Sequence, residues 1–332
     1  MREAPFFEDL SVGQVERGAP AVTLTEGMAA VHQAILGDRL ALALDARLAA
    51  RVLGSSTAMA HPALLWDLAI GQSTLLTGRV IANLFYRGLV LQRTPVIGDT
   101  LTTSTEVVGL RQTSPRAERG ANGLAVLRVR TLDQDERPVL DFWRCAMLPL
   151  RDPQGRSGRE DSFEQIPAEL DPAALRSATA SWRLDAFAAE GAAAQAMPAP
   201  GARWRIEGGD VVSAAPELAR LSLNIASVHH DRAAQREGRR LVYGGHTIGL
   251  AAAQATRSLP QIATIVGWHS CEHLAPVHEG DTLHSELELE RIEPLGEVGG
   301  LAHLRSRVLA LGEQDDGTET PVLDWRFVAV VA

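Results

Sequence analysis

Apolar residues fall into two kinds of run along this chain. Leu218, Leu221 and Ile225 recur at helical spacing, and Thr247 to Arg257, rich in small and apolar residues, predicts another helix opened by Gly244-Gly245. Its counterpart in the first half of the chain runs from about Ala63 to Leu76. After these come strand-like runs: Thr100 to Val108, Leu124 to Thr131 and Val139 to Leu148, then Thr282 to Glu290, Leu301 to Leu311 and Val322 to Val331. Gly, Pro and Asp punctuate them, as short loops between antiparallel strands do. A turn around Gly13 or Gly201 opens each half, so helices come first and strands later. That order predicts an α+β class, helix packed on one face of an antiparallel sheet, rather than alternating βαβ units. No Gly-rich loop follows a strand, which argues against a Rossmann nucleotide site.

The halves also repeat in sequence. Pro95-Val96-Ile97-Gly98-Asp99-Thr100-Leu101 returns as Pro276-Val277-His278-Glu279-Gly280-Asp281-Thr282-Leu283, Gly123 to Arg130 as Gly300 to Arg307, and Pro138-Val139-Leu140-Asp141 as Pro321-Val322-Leu323-Asp324. Three matches in one order, offset by about 180 residues, mark a duplicated domain, the period being far too long for a solenoid. Two such copies are expected to pack as the subunits of a dimer do, and what differs between them is where function should lie. Arg151 to Pro172 is polar and turn-rich and reads as a linker, with the boundary near Glu160. The expected organisation is an N-terminal domain over residues 1–150, a linker and Ala-rich connector over 151–200, and a C-terminal domain over 201–332 that carries the active site.

Composition narrows the classes. A chain of 332 residues can bury a core in each of two domains, and 45% hydrophobic with 22% charged residues is ordinary for a soluble globular protein. The net charge of −9 argues against nucleic acid as a partner. Cys145 and Cys271 lack metal-ligand spacing, so neither a disulfide framework nor a metal site is expected. Met1 to Gly13 shows no basic-then-apolar signal and no stretch approaches a membrane span, so a cytoplasmic protein with no membrane partner is expected.

Candidate chemistry gathers in Leu223-Asn224-Ile225-Ala226-Ser227-Val228-His229-His230-Asp231, followed by Arg239-Arg240-Leu241-Val242-Tyr243-Gly244-Gly245-His246. An amide five residues before a histidine, where a helix runs out, can aim both side chains at one pocket. A Gly-Gly pair opening the next helix leaves unpaired N–H groups facing the same space. Thioester activation needs those parts. Adding water across a double bond conjugated to a thioester pushes charge onto the carbonyl oxygen, which fixed N–H donors stabilise, while a histidine near neutrality moves the proton. Asn224 cannot shuttle a proton as a carboxylate can, which leaves that work to His229.

These residues resemble the MaoC-like, R-specific enoyl-CoA hydratases and dehydratases, whose motif is Asp-x4-His where this chain has Asn224-x4-His229. The opening Phe6 to Gln14, the Gly-Asp-Thr-Leu turns and the Ala-rich helix after Tyr243-Gly244-Gly245-His246 are similar too, so the resemblance covers most of both halves. Its duplicated form is most similar to the mesaconyl-CoA hydratases, also called β-methylmalyl-CoA dehydratases. The resemblance implies a double hotdog fold, each half wrapping an antiparallel sheet around a central helix. It implies a hydro-lyase acting on an acyl-CoA thioester, a short or branched 2-enoyl-CoA, with no cofactor beyond the CoA of the substrate, and a homodimer or higher homo-oligomer. It gives His229 the catalytic histidine's place, Asn224 the aspartate's, and Gly245 with the N–H of His246 the oxyanion hole. Gly244, His246, Arg239 and Arg240 become substrate-binding candidates, the arginines for the CoA phosphates.

The first copy departs further from the motif, with Gly37-Asp38-Arg39 where Leu223-Asn224-Ile225 stands and Ala43 where His229 stands. One working site per chain is therefore expected, in the second half, the first half shaping the acyl or CoA tunnel. Each candidate also has a structural use: a histidine or asparagine can cap a helix end, Gly-Gly can make a tight turn, and a basic pair in a loop is often simply solvated. Asp99 and Asp281 read as turn chemistry. His269, His273, His278 and His284 show no metal spacing, although His269 or His273 could line the pocket. Two alternatives remain open at this level: a hotdog acyl-CoA thioesterase, and a non-catalytic acyl-CoA-binding protein.

Overall fold

The computed structural model describes residues 3–332 except 116–119, 168, 190–195, 235–237 and 313–316. Its strands join into one antiparallel 12-stranded sheet whose long members run in the order Thr100–Gln112, Asn122–Leu132, Pro138–Pro149, Ala82–Leu91, Ile262–His273, Thr320–Val331, Gly300–Leu311 and Thr282–Pro294. The order of the first half is mirrored by the second. The seam is the antiparallel pairing of Ala82–Leu91 with Ile262–His273, which matches Tyr86 to Cys271 and Leu89 to Trp268.

The outer strands follow the expected runs because one face is wet. Thr282–Pro294 alternates, with Leu283, Ser285, Leu287 and Leu289 turned inward. The two seam strands were missed in the sequence for the opposite reason: Ile262 to Trp268 is buried without a break, so it carries no period-two signal.

Two helices lie against the sheet, Pro62–Gln72 and Gly244–Ser258. Every residue of the first is buried, which suits a run that is apolar nearly all round. Its Trp66 meets Trp268 edge-on at 4.8 Å and Trp325 at 6.5 Å, so the main core runs through both halves, with a smaller cluster around Phe7, Leu10 and Leu110 in the first half. Arg144, buried beneath the C-terminal end of this helix, donates to Ser73 Oγ at 2.8 Å and Thr77 Oγ1 at 2.7 Å. A cation there suits the negative end of the helix dipole.

Each half also reaches onto the other's helix. The helix Ala215–Leu221 stops because Leu223 is left-handed (φ 59°), as Gly37 (φ 65°) stops Glu26–Leu36. Ile225 therefore lies beyond the helix and is exposed, contrary to its helical spacing in the sequence. The segment after the stop crosses Gly71, where a Cβ would overlap the Ser222 carbonyl, and Ile225 donates its N–H to Thr74 Oγ1 at 3.0 Å. Symmetrically, Asp38 accepts from Thr256 Oγ1 of the second helix at 3.1 Å.

The expected linker is built into the structure. Arg111 lies over the Phe163 ring at 4.2 Å, and the helices Pro172–Ser177 and Leu184–Ala188 bury Leu175, Leu184 and Phe187. Leu170 and Leu175 sit against Gly267, whose neighbour Trp268 faces the core helices, so this segment covers the other face of the sheet. Part of the Ala-rich connector, residues 190–195, lies outside the described residues. The close crossing at Gly71 gives an expected outcome: Gly71→Ala costs about 1–3 kcal/mol in urea unfolding, as overpacking does, whereas Gly27→Ala, exposed in the helix Glu26–Leu36 with room for a Cβ, is stabilising by up to about 1 kcal/mol.

Candidate active site

The segment after Leu223 places the two motif residues differently. Asn224, 4% exposed, uses its Oδ1 to accept the Ala226 N–H at 2.9 Å. Asp38 does the same in the first half, accepting the Leu40 N–H at 2.7 Å, so the shared position is an Asx turn. His229 ends the short 3-10 turn Ser227–His229 and its Nδ1 lies 3.0 Å from the Leu241 carbonyl. A carbonyl only accepts, so Nδ1 carries the hydrogen and Nε2 keeps its lone pair. Burial pushes the imidazole down to about 4, with His230 and Arg144 adding to the shift and the Leu241 contact opposing it. The ring is neutral near pH 7.

Tyr243, the N-cap of Gly244–Ser258, joins this histidine to the helix start, its ring 6.0 Å from that of His229. The two glycines that follow are closely covered. A Cβ on Gly244 would lie 2.8 Å from His273 Nε2, and one on Gly245 would overlap Asp67 Oδ1. The Gly245 side-chain space is thus taken by a carboxyl group from the other half, not left open for a substrate. The oxyanion pair expected from the sequence is also reduced: His246 donates its N–H to the Tyr243 carbonyl at 2.9 Å, leaving the Gly245 amide as the donor of that pair to consider. The His246 side chain is buried with both ring nitrogens unpartnered.

Arg239 and Arg240 are engaged within the fold. Arg239 pairs with Asp281, and Arg240 with Glu279 at 2.9 Å while also donating to the His230 carbonyl at 3.0 Å. They brace the loop that carries His229, and phosphate recognition would require them to leave carboxylates. Asp99 and Asp281 close their turns by accepting from Val96 at 3.1 Å and His278 at 2.7 Å, as turn chemistry predicts. Of the other histidines, His273 lies at the helix start, whereas His269 bonds to His303 at 3.0 Å, away from it. Among the described residues no group of His, Cys, Asp and Glu could hold a metal, and no helix is long and apolar enough to cross a membrane.

Sequence reasoning missed what the first half contributes. His32 Nε2 lies 3.1 Å from Asp67 Oδ2, and His61 Nε2 3.1 Å from Asp38 Oδ1. Tyr243 donates its hydroxyl to the Asp67 backbone carbonyl at 3.2 Å. The available signal was Asp67 itself, a lone acid inside Ala63-Leu64-Leu65-Trp66-Asp67-Leu68-Ala69-Ile70. Beside the Asn224 turn a groove of about 460 Å³ is walled by both halves, including Pro20, Gln72, Leu75, Asn224, Ile225 and His230.

No protein-family model matches the chain. It is 30% identical over 325 residues to the mesaconyl-CoA hydratase of Cereibacter sphaeroides, across 92% of this chain and 89% of that one. Among solved structures it superposes on a MaoC domain protein dehydratase of Chloroflexus aurantiacus with a TM-score of 0.85 and 25% identity, covering 99% and 97% of the two chains. The chain belongs to the MaoC-like hydratase and dehydratase family. A conserved hypothetical protein of Mycobacterium tuberculosis, described as essential for bacterial survival during infection and as having a double hotdog fold, is 50% identical, with a TM-score of 0.88 over 98% of both chains. This MaoC-like chain is a double hotdog as well.

Burial of these imidazoles adds to the acid sensitivity of this family member, beside paired carboxylates such as Asp38 and Asp133 that are held below their ordinary range. His229, His246 and His273 are all pushed down to about 4 by desolvation, so the unfolded chain takes up protons that the folded one refuses. Stability contributed by their neutral forms is present above pH 6.5 and is lost as pH falls from 6.5 towards about 4. Urea unfolding at pH 7.0, 5.5 and 4.5 should show a decline approaching about 1.4 kcal/mol per pH unit for each histidine. A flat profile would contradict the buried, neutral assignment.

Proposed function

We propose that this protein catalyses the reversible hydration of a short or branched 2-enoyl-CoA thioester, mesaconyl-CoA and its hydrate β-methylmalyl-CoA being the first pair to test. The observation that carries this reading is the Nδ1 contact of His229 with Leu241, which fixes a neutral imidazole as a base at Nε2 beside a helix opened by two glycines. Water gives a proton to Nε2 as its oxygen bonds to the β-carbon, and the electron pair of the double bond moves onto the thioester oxygen. The Gly245 amide, at the positive end of a 15-residue helix, meets that charge. Asn224 shapes the turn and moves no proton. The CoA enters as part of the substrate and no separate cofactor takes part.

A second reading, binding of an acyl-CoA ester without turnover, draws on one observation. His229 is only 7% exposed, and the groove of this region is lined by its neighbours Asn224 and His230 and not by His229 itself. Assays with crotonyl-CoA and mesaconyl-CoA separate the readings. Loss of the conjugated absorbance without free thiol is expected, with His229→Gln lowering kcat about 100-fold or more while the protein stays folded. Thiol release without hydration would instead make it a thioesterase, and tight binding unchanged in His229→Gln with no turnover would make it a binder. The pH profile is a further check: protonation of Nε2 removes the base, so the acid limb of kcat/KM is expected towards about pH 4. An acid limb centred near 6.5 would contradict the buried base.

A further inference from the structure

The face of the sheet away from the core helices hides a pair of histidines that the site does not use. His269 Nε2 and His303 Nδ1 are 3.0 Å apart, their rings stack with centroids 5.2 Å apart, and both residues are buried. His303 is paired across the strands with Val328, which is also paired with Gly267, and a Cβ on Gly267 would meet Leu170 and Leu175 of the linker at 2.8 Å. Paired residues share a face, so His303 lies on the side that the linker covers, and its bond brings His269 there too. Packing alone does not call for imidazoles at this place. In the repeated segments His303 stands where the first half has Val126, buried as well.

The pair has room for one hydrogen between its rings. His303 Nε2 stands 3.2 Å from Glu293 Oε1, a carboxylate oxygen that only accepts, so Nε2 carries its hydrogen and Nδ1 accepts from His269 Nε2. His269 Nδ1 is then bare, and it is buried without a partner. A further proton has no good place: on His269 Nδ1 it meets no acceptor, and on His303 Nδ1 it displaces the bond between the rings. Glu293 is shared with the linker, since Arg176 lies 3.5 Å from its Oε2 and donates to the Pro294 carbonyl at 3.1 Å. The charged groups around the pair are Glu290, Arg291 and Glu293 of Thr282–Pro294, Arg326 of Thr320–Val331, and Glu169 and Arg176 of the linker. Two of these carboxylates are already paired, Glu290 with Arg326 at 2.8 Å and Glu293 with Arg291 at 3.2 Å. Desolvation, with Arg291 adding to it, pushes His303 down to about 4, and desolvation with Arg326 lowers His269 as well.

We propose that the His269–His303 pair is a pH-sensitive latch, closed when neutral and bonded under the linker, whose protonation releases Leu170 and the helix Pro172–Ser177 from the sheet. Water that reaches the rings solvates the charge that the closed form cannot satisfy. The released pair takes up protons at the ordinary imidazole value of 6.5, which the closed His303 refuses until about 4. Closure is therefore fully supported above pH 6.5 and weakens as pH falls from there towards about 4. The released segment lies over the joint between the halves: Leu170 and Leu175 press on Gly267 of one seam strand, beside the Leu89 carbonyl of the other. Opening the latch uncovers that joint from one side, while the Trp66 side of Trp268 stays covered by its helix.

Hydrogen exchange of the whole protein at pH 7.0, 5.5 and 5.0, corrected for the intrinsic rate at each pH, tests this. Exchange in residues 170–177 is expected to rise about tenfold or more between pH 7.0 and 5.0, while Gly300–Leu311 stays protected. The His269→Gln/His303→Gln double variant cannot titrate at this place, and its linker exchange is expected to stay within about twofold across the range. Should that variant not fold, His269→Leu/His303→Val, apolar as the first half is at Val126, carries the same expectation. A rise in the folded variant equal to that of wild type overturns the latch. So does wild-type protein whose linker is as protected at pH 5.0 as at pH 7.0, or loosens only together with Gly300–Leu311.

Discussion

The pairing of Ala82–Leu91 with Ile262–His273 is the constraint on which the rest of the molecule depends. Without it there would be two half-covered sheets. With it, the two core helices lie on one surface, and Trp66 of the first packs against Trp268 and Trp325 of the second half. Neither half can then close its own loop region alone. The segment after Leu223 rests on Gly71 and Thr74, and the segment after Gly37 rests on Thr256.

The site inherits that exchange. His229 and the Gly244–Ser258 helix come from the second half, while Gln72 and Leu75, which wall the neighbouring groove, come from the first. Duplication freed the two sites to diverge. In the first half Asp38 is locked by Leu40, Thr256 and His61, and Pro62 stands where Gly244 stands in the second, removing an N–H from the helix start. What remains there is a stitched junction, and its buried acid one turn further on faces the other half's helix. The electrostatics agree: desolvation holds His229 and His246 neutral, which suits proton acceptance more than permanent charge.

Much of this was legible in the residues because their physics is local. Strands with one wet face announced themselves by alternation, and the Gly-Gly opening marked the helix at Gly244. The seam strands were silent because burial on both faces erases the period. Ile225 misled because a left-handed Leu223 ends the helix early, a choice sequence rules assign to Gly or Asn. Arg239 and Arg240 read as an anion site, yet their partners Asp281 and Glu279 lie about 40 residues on, in the repeated turn. Asp67 stands out as a lone acid in an apolar run, but its contacts, His32, Tyr243 and Gly245, are distant along the chain, where no spacing can point.

The account stands most directly on the hydrogen of one ring. Nitrogen-15 shifts of the imidazoles, read at pH 7 with His229→Gln to assign the signal, would show which nitrogen of His229 is bare. The account requires hydrogen on Nδ1, a bare Nε2, and no protonation until the pH approaches about 4. Hydrogen on Nε2, or an imidazolium at pH 7, would contradict it, because the ring would then have no lone pair with which to take a proton from water.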